Sequence, residues 1–213
     1  MNKTLIVIVV IFLLQSPALA QSEELPKFEV AGEFTTIERE EFFSRRTEQG
    51  FGGRFTYNLN KTFALEGAGY FFPKECFQCR NAGNITEVFA GVKVGKRFEK
   101  WGVFAKARPG VVSFNHGTFD SVPPFTFPLI PAQFESNRLT TFAMDVGGVV
   151  EFYPSKRIVT RFDFGDTIMH FKRRNLNLIL FDPATNALTP ATIPVPARTS
   201  HNFQLMTSVG FRF

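Results

Sequence analysis

The sequence is poor in the residue types that build most metal and redox sites. Its 213 residues include only 2 cysteines and 3 histidines, and no two of these histidines (His116, His170 and His201) have a spacing that suits joint metal ligation. We therefore expect no metal site and no cofactor. Tryptophan and tyrosine are also scarce, at 1 and 3 residues, whereas phenylalanine reaches 28 and glycine 16. This balance favours a sheet with a large apolar face.

A long apolar run is also missing. The longest one, at 5–14, is shorter than the roughly 20 residues that a membrane-spanning helix needs. It follows Lys3 and precedes the small residues Ala18 and Ala20, which is the pattern of a cleaved export signal rather than of an anchoring helix. We predict a signal peptide over 1–20, a short periplasmic leader over 21–26 and one domain over 27–213. Any membrane insertion by that domain must use strands.

The charge of the chain does not favour a nucleic-acid partner. The net charge is +5 and the pI about 9.4, but basic residues are spread along the sequence and alternate with acidic ones. An exported chain would also not meet nucleic acid. We therefore predict no nucleic-acid partner.

Alternation of apolar and polar residues with a period of two recurs in segments of about ten residues, the length of a transmembrane strand. Eight such segments follow one another, at 27–36, 49–59, 61–72, 85–97, 101–114, 138–153, 157–170 and 200–213. They predict an all-β chain that forms an eight-stranded antiparallel up-and-down transmembrane β-barrel.

The predicted connections alternate between short and long. Short turns fall at 58–61, 98–100 and 153–156, and long loops fall at 37–48, 73–84, 115–137 and 171–199. In outer-membrane barrels the short turns are periplasmic and the long loops are extracellular. The two longest loops are rich in proline, which cannot donate to a strand ladder, so we predict mobile loops there rather than additional strands.

The two faces of the predicted strands differ in polarity. Read with one parity, the strands place thirteen charged residues on a single face, interspersed with glycine: Glu29, Glu33, Arg54, Glu66, Glu87, Lys93, Lys106, Arg108, Asp145, Glu151, Arg161, Asp163 and Arg212. Alternation alone does not separate a membrane barrel from a soluble barrel or sandwich, in which such charges would be solvated. A charge that faces lipid costs about 2 to 4 kcal/mol at the midplane, so we place this charge network in the lumen.

With these features in place, residues 27–213 resemble the small bacterial outer-membrane barrels of the OmpA-like or OmpX-like type. The most specific part is the last strand, where Leu205, Val209, Phe211 and Phe213 resemble the signal that the barrel-assembly machinery reads. An ordinary edge strand is the alternative. The resemblance implies a monomer in the cell outer membrane, with outer-membrane lipid, lipopolysaccharide, the barrel-assembly machinery and periplasmic chaperones as partners. We expect one departure from the OmpA pattern, the lack of a peptidoglycan-binding domain.

The fold does not by itself give the function. We expect a structural or surface-interaction role in adhesion or envelope integrity, and no enzyme activity. A narrow pore for small solutes is the alternative, although a charge-filled lumen of eight strands opposes it. A lipid-modifying enzyme would need a rim histidine such as His201. Ser200 adjoins His201 and Ser113 lies close to His116, but nearness in sequence is not a catalytic site.

Two further motifs fall in predicted outer loops. Cys76 and Cys79 form a C-x-x-C motif, for which a local disulfide is favoured over metal binding or redox chemistry in an exported chain. The basic runs Arg45-Arg46 and Lys172-Arg173-Arg174 suit contact with lipopolysaccharide phosphates, because arginine binds phosphate with two donors. A solubilising charge run is the simpler interpretation.

Overall fold

The computed structural model describes residues 26–41, 44–73, 84–121, 135–182 and 187–213. The predicted signal peptide and most of the predicted leader lie outside these residues. Within the described ranges the chain forms ten strands, and none of its segments is a helix long and apolar enough to cross a membrane. The strands are β1 Phe28–Glu41, β2 Ser44–Asn58, β3 Phe63–Phe72, β4 Ile85–Arg97, β5 Trp101–Ser121, β6 Glu135–Phe152, β7 Ile158–Phe171, β8 Arg174–Asp182, β9 Ala187–Val195 and β10 Arg198–Arg212.

Eight of these strands form a closed antiparallel barrel in the order β1-β10-β7-β6-β5-β4-β3-β2. Closure joins the first and last strands, where Phe28 N donates to Phe213 O at 2.8 Å and Phe213 N donates to Phe28 O at 2.9 Å. The predicted eight-stranded barrel is therefore confirmed. We call the end with the turns at 59–62, 98–100 and 153–157 the turn end, and the opposite end the loop end.

The strands extend further toward the loop end than we predicted. The stretch 37–48 is not a long loop, because β1 continues to Glu41 and pairs with β2 from Ser44 onward. Part of 115–137 is also strand, since β5 runs to Ser121 and β6 begins at Glu135. The apolar alternation fades in these extensions, but backbone pairing between strands needs no apolar face.

The prediction that 171–199 holds no additional strand is wrong. This segment contains the β8–β9 hairpin, whose strands have nine residues each and pair with each other in a separate sheet. Pro190 and Pro194 lie within β9 and share one parity, so both missing N–H groups can face the same edge. Proline costs no ladder bond at an edge that has no partner strand, which explains why the proline count misled the prediction.

The barrel is apolar outside and charged inside. Large hydrophobic side chains are exposed all around the wall, with Phe211 at 66% of its surface, whereas the interior Arg161 is 1% exposed. Aromatic pairs lie at the turn end of the wall, among them Phe98 and Trp101 with ring centroids 4.3 Å apart. This arrangement is that of a barrel wall that faces lipid.

Glycine sets how closely two neighbouring strands approach. Gly147 of β6 lies opposite Gly165 of β7. A Cβ at Gly147 would lie 2.2 Å from the carbonyl oxygen of Phe164, and one at Gly165 would lie 2.3 Å from that of Val146. A side chain at either position would therefore push the two strands apart, which accounts for glycine among the inward-facing residues.

Candidate functional site

The candidate site is the filled lumen. The structure places all thirteen charged residues of the predicted network inside the barrel and buries them. It adds Arg97, the last residue of β4, whose side chain is only 7% exposed. Arg97 shares the parity of the set and lies within the predicted strand 85–97, so the alternation could have identified it. With Arg97 the set holds seven acidic and seven basic residues.

Glu66 of β3 is the centre of this ion network. Its carboxylate lies 3.3 Å from Arg54, 3.5 Å from Lys93 and 3.6 Å from Arg108. It also accepts hydrogen bonds from Arg161, one of them at 3.1 Å from Nη2. These cations come from β2, β4, β5 and β7, so a single carboxylate ties five strands together across the axis of the barrel.

Toward the turn end the network passes through Glu151 of β6. Glu151 contacts Lys93 and Arg161, lies 3.6 Å from Arg97 and accepts a hydrogen bond of 2.7 Å from the hydroxyl of Tyr153. The Tyr153 ring lies between two guanidinium groups, 5.5 Å from that of Arg97 and 4.2 Å from that of Arg212. Stacked cations and an aromatic ring therefore close this end of the lumen.

One more carboxylate completes the turn end. Glu29 of β1 lies 3.3 Å from Arg97 and accepts a hydrogen bond of 2.9 Å from the amide of Asn58. Arg97 donates to the Asn58 amide oxygen at 3.1 Å. The first strand is thus connected to the network as well as to its neighbours in the sheet.

In the middle of the barrel two branches leave the centre. One runs from Arg54 to Glu33 at 2.8 Å, and Glu33 accepts a hydrogen bond of 2.5 Å from the Tyr70 hydroxyl. The other runs from Arg108 to Asp145, where the Nε hydrogen bond is 2.8 Å. The branches meet because Arg108 also donates to the Tyr70 hydroxyl at 3.3 Å.

Lys106 closes a ring in this network. Its ammonium group lies 3.0 Å from Asp145 and 3.1 Å from Asp163. Asp163 in turn accepts a hydrogen bond of 2.6 Å from Arg161, one of the cations around the central carboxylate. A buried charge costs several kcal/mol unless it is paired, and here nearly every charge has more than one partner.

The loop-end part of the lumen has a different filling, which we did not predict. Ten buried residues form an apolar cluster there: Ile37, Ala68, Tyr70, Phe72, Ile85, Phe89, Val112, Ala143, Met169 and Met206. The expectation of a polar interior face is therefore wrong toward the loop end. An interior of this width only needs to be filled by side chains, and hydrocarbon fills it without requiring hydrogen-bond partners.

Glu87 stands between the two fillings. On the inner face of β4 its neighbours are Ile85 and Phe89, which belong to the apolar cluster. Gln204 donates to one of its oxygens at 3.2 Å and also to the Thr35 hydroxyl at 2.9 Å. The other oxygen of Glu87 has no partner, and within the described ranges no cation pairs with this carboxyl group.

The loop-end mouth is closed by two cations and two rings, which we call the loop-end cap. Arg39 lies over the Phe114 ring at 5.4 Å, and Phe114 lies 6.1 Å from Phe171. Arg198 lies over Phe171 at 5.0 Å. From the loop-end cap to the ring of Tyr153, side chains fill the described lumen.

The rim histidine His201 does not contact the serine that precedes it in the sequence. His201 points outward and its Nδ1 lies 2.5 Å from the Asp166 carboxylate, whereas Ser200 has the opposite parity and its hydroxyl accepts from the Asn202 amide at 3.1 Å. His170 contacts the Thr199 hydroxyl at 3.1 Å.

Ser113 and His116 are the other neighbouring pair that the sequence contains. Ser113 shares a hydrogen bond of 3.1 Å with Thr140, and the side chain of His116 lies outside the described residues. No group of three metal-ligating residues occurs in the described part of the chain.

The remaining predicted site residues do not belong to the network in the lumen. Leu205, Val209, Phe211 and Phe213 are exposed on the outer wall of the barrel. Lys172 and Arg173 are exposed at the loop end, and Arg174 there is half-buried. Arg45 and Arg46 lie in β2, but their side chains are outside the described residues, as are Cys76 and Cys79.

Comparison with known proteins gives a likeness of fold. No protein-family model matches the sequence, and no curated protein matches it. Neisserial surface protein A superposes with a TM-score of 0.54 at 10% identity, covering 90% of this chain and 100% of that one. Ail, the attachment invasion locus protein of Yersinia pestis, in complex with the heparin analogue sucrose octasulfate, gives 0.50 at 12% identity, covering 87% and 97%. The chain has the fold of small outer-membrane β-barrels.

Proposed function

We propose that this chain is an integral outer-membrane protein with a structural or surface-interaction role and no enzyme activity. One observation carries the proposal: side chains fill the described lumen along its length, so the barrel is suited to be an anchor rather than a conduit. The apolar wall supports a position in the lipid bilayer. The turn end then faces the periplasm and the loop end faces the outside.

The β8–β9 hairpin is the part best placed to make surface contacts. It continues the chain at the loop end, and Arg174 and Asp182 are the only charged residues in its two strands. Such a low charge in an outer segment favours contact with another surface. Both strands also pair only with each other within the described ranges, which leaves the outer edge of β8 for a partner strand, whereas Pro190 and Pro194 remove donors from β9.

Replacing 174–195 with a short Gly-Ser linker tests this role. The hairpin forms its own sheet, so we expect the variant to keep the heat-modifiable gel mobility of a folded barrel. We expect bacteria that display the variant to attach less well to immobilised extracellular-matrix proteins than bacteria that display the intact protein. Equal attachment by both, or wild-type attachment no greater than that of cells without the protein, would reject surface interaction.

A separate experiment tests whether the protein contributes to the integrity of the cell envelope. Cells that lack the protein are compared with complemented cells for sensitivity to detergent and to large antibiotics. A structural role predicts greater sensitivity without the protein and full recovery with the hairpin-deleted variant, because that variant retains the barrel. Unchanged sensitivity would remove the structural role.

The lipopolysaccharide contact at the loop end remains part of this proposal. Replacing Arg45, Arg46, Lys172, Arg173 and Arg174 with glutamine is expected to weaken binding of purified lipopolysaccharide, most strongly at low salt. Sucrose octasulfate is a second probe with similar anionic chemistry, chosen because the structure of Ail holds it. Removal of the two exposed turn-end cations Lys96 and Lys100 is a control for loss of positive charge away from the loop end. Unchanged binding after the loop-end replacements would contradict the contact.

A lipid-modifying enzyme is the second candidate, and one observation favours it. The contact with Asp166 orients the imidazole of His201, which is the usual arrangement of a general base. The described residues bring no nucleophilic hydroxyl to this histidine. Mass spectrometry of lipid A from cells with the wild-type protein and with His201→Ala decides the matter, since a product lost in the variant would establish the enzyme.

A further inference from the structure

A basic pocket opens at the turn end of the barrel. Its volume is about 790 Å³ and it lies where the first and last strands meet the turns at 59–62 and 153–157. Five of its lining residues are basic, namely Lys27, Lys61, Lys156, Arg157 and Arg212, and none of its lining side chains is acidic. The pocket therefore presents a concentrated positive charge.

Short turns hold two of these cations in place. The Asn60 side-chain oxygen accepts hydrogen bonds of 2.8 Å from the backbone N–H groups of Thr62 and Phe63, which fixes the turn that carries Lys61. The Ser155 hydroxyl does the same in the other turn, where it accepts from Arg157 N at 3.3 Å. The positive groups are thus presented by ordered backbone rather than by loose chain ends.

Arg212 supplies an independent sign of a missing anionic partner. Arg212 is only 9% exposed. Its guanidinium donates to the carbonyl oxygens of Ser155 at 3.2 Å and Lys156 at 3.3 Å. Its Nε, however, has no hydrogen-bond partner. A buried donor without a partner is costly, and Arg212 lines the pocket, so an anionic ligand there would offset part of the cost of burying this cation.

The pocket is apolar on the side that faces the barrel wall. Phe28, Leu59 and Phe213 line it, and all three are exposed on the outer surface. Cations toward the water and large hydrocarbon groups toward the membrane together match an amphiphile with an anionic head. A free anion would make no use of the apolar wall.

The charge around the pocket has the same sign. Lys96 and Lys100 are also exposed at this end, and Glu99 is the one exposed acidic residue there within the described ranges. Each cation near an anionic membrane surface strengthens attraction to it by about 1 kcal/mol. The field of this rim therefore draws anionic headgroups toward the pocket.

We propose that the turn-end pocket binds the phosphate headgroup of an anionic glycerophospholipid from the leaflet at that end, with the acyl chains along Phe28 and Phe213. This inference rests on the proposed membrane location. Lys61 and Arg157 bind the phosphate from the water side, and the positive charge of Arg212 attracts it from the barrel side.

Native mass spectrometry of the folded protein released from nanodiscs tests the proposal. The nanodiscs contain phosphatidylcholine with a minor fraction of phosphatidylglycerol. We expect one retained phosphatidylglycerol on the wild-type protein and roughly thirtyfold weaker retention on Lys61→Gln/Arg157→Gln, about fivefold for each cation. The matched control, Lys96→Gln/Lys100→Gln, removes the same charge from the same end outside the pocket, so it weakens only the general attraction and is expected to lose clearly less of the lipid. Equal losses in the two variants would overturn the pocket as the site.

Two further experiments test whether something other than the lipid occupies the pocket. If glycerol 3-phosphate binds as tightly as phosphatidylglycerol, the apolar wall contributes nothing and the pocket recognises a free phosphate, which overturns the lipid. The predicted leader carries Glu23 and Glu24 just before the pocket residue Pro26. A rise of roughly tenfold or more in lipid retention on Glu23→Gln/Glu24→Gln would mean that the leader occupies the site, because a tethered segment competes at high effective concentration.

Heat-modifiable gel mobility and insertion into vesicles are measured on the same samples. A protein that does not insert contradicts the proposed outer-membrane function. A protein that inserts and is heat-modifiable but retains no phosphatidylglycerol contradicts the lipid site alone.

Discussion

The two ends of the lumen are filled by side chains of different chemistry. The turn-end half is filled mainly by charged residues, twelve of which pair in one connected network, whereas the loop-end part is filled mainly by hydrocarbon. An ion network depends on every member, because removal of one charge leaves its partners buried and unpaired. Removal of one apolar side chain costs only the contacts of that side chain and the energy of the cavity that it leaves. Stability should therefore respond differently to substitution in the two halves.

The largest effect is expected at the centre of the ion network. Glu66→Gln keeps the size of the side chain but removes the charge that four cations share. We expect a loss of about 3 to 5 kcal/mol in the free energy of unfolding, the usual result of breaking a buried ion pair. Urea unfolding in lipid vesicles measures it, with the fluorescence of the single tryptophan, Trp101, as the probe. A loss below about 1 kcal/mol would mean that the network does not stabilise the fold.

A smaller effect is expected in the apolar cluster. Met169→Ala removes a buried side chain from the loop-end filling, and we expect a loss of about 2 to 3 kcal/mol from the lost burial and the cavity. Met144 is the matched control because it has outward parity on β6 and is only half-buried. Its replacement with alanine should cost clearly less. Equal losses for the two methionines in the same urea titration would show that the cluster is not tightly packed.

The smallest effect is expected at the boundary between the halves. Glu87→Gln makes the same chemical change as the substitution at the network centre, but this carboxyl group has no cation partner within the described ranges. A neutral amide avoids the cost of burying a lone charge, so we expect stability within about 1 kcal/mol of wild type, with a gain possible. A loss as large as that of Glu66→Gln would mean that Glu87 is paired after all.

Much of the barrel could be predicted because each of its strands carries its own information. A period of two and a cost for charge in lipid were enough to place Glu66 and its twelve companions on the inner face. The contacts of Glu66 with Arg108 and Arg161 could not be predicted, because these residues come from strands that are not neighbours of β3. Such contacts depend on the stagger of the closed barrel, which no single strand encodes.

The errors share a physical origin. Phe72 and Ile85 have inward parity, but only the charged members of that face entered the prediction. The β1–β2 pairing up to Glu41 and Ser44, like the β8–β9 hairpin, lies beyond the apolar belt, where alternation no longer reports on lipid. Outside the membrane, strand pairing follows backbone bonds and turn geometry, for which the polarity pattern is a weak guide.

The central claim is that the lumen is closed by side chains from end to end. Current through planar bilayers that contain the folded, heat-modifiable protein tests it most directly. The filled lumen predicts no steady conductance above that of the protein-free bilayer. A stable conductance that scales with the number of inserted barrels would contradict it and would favour the pore.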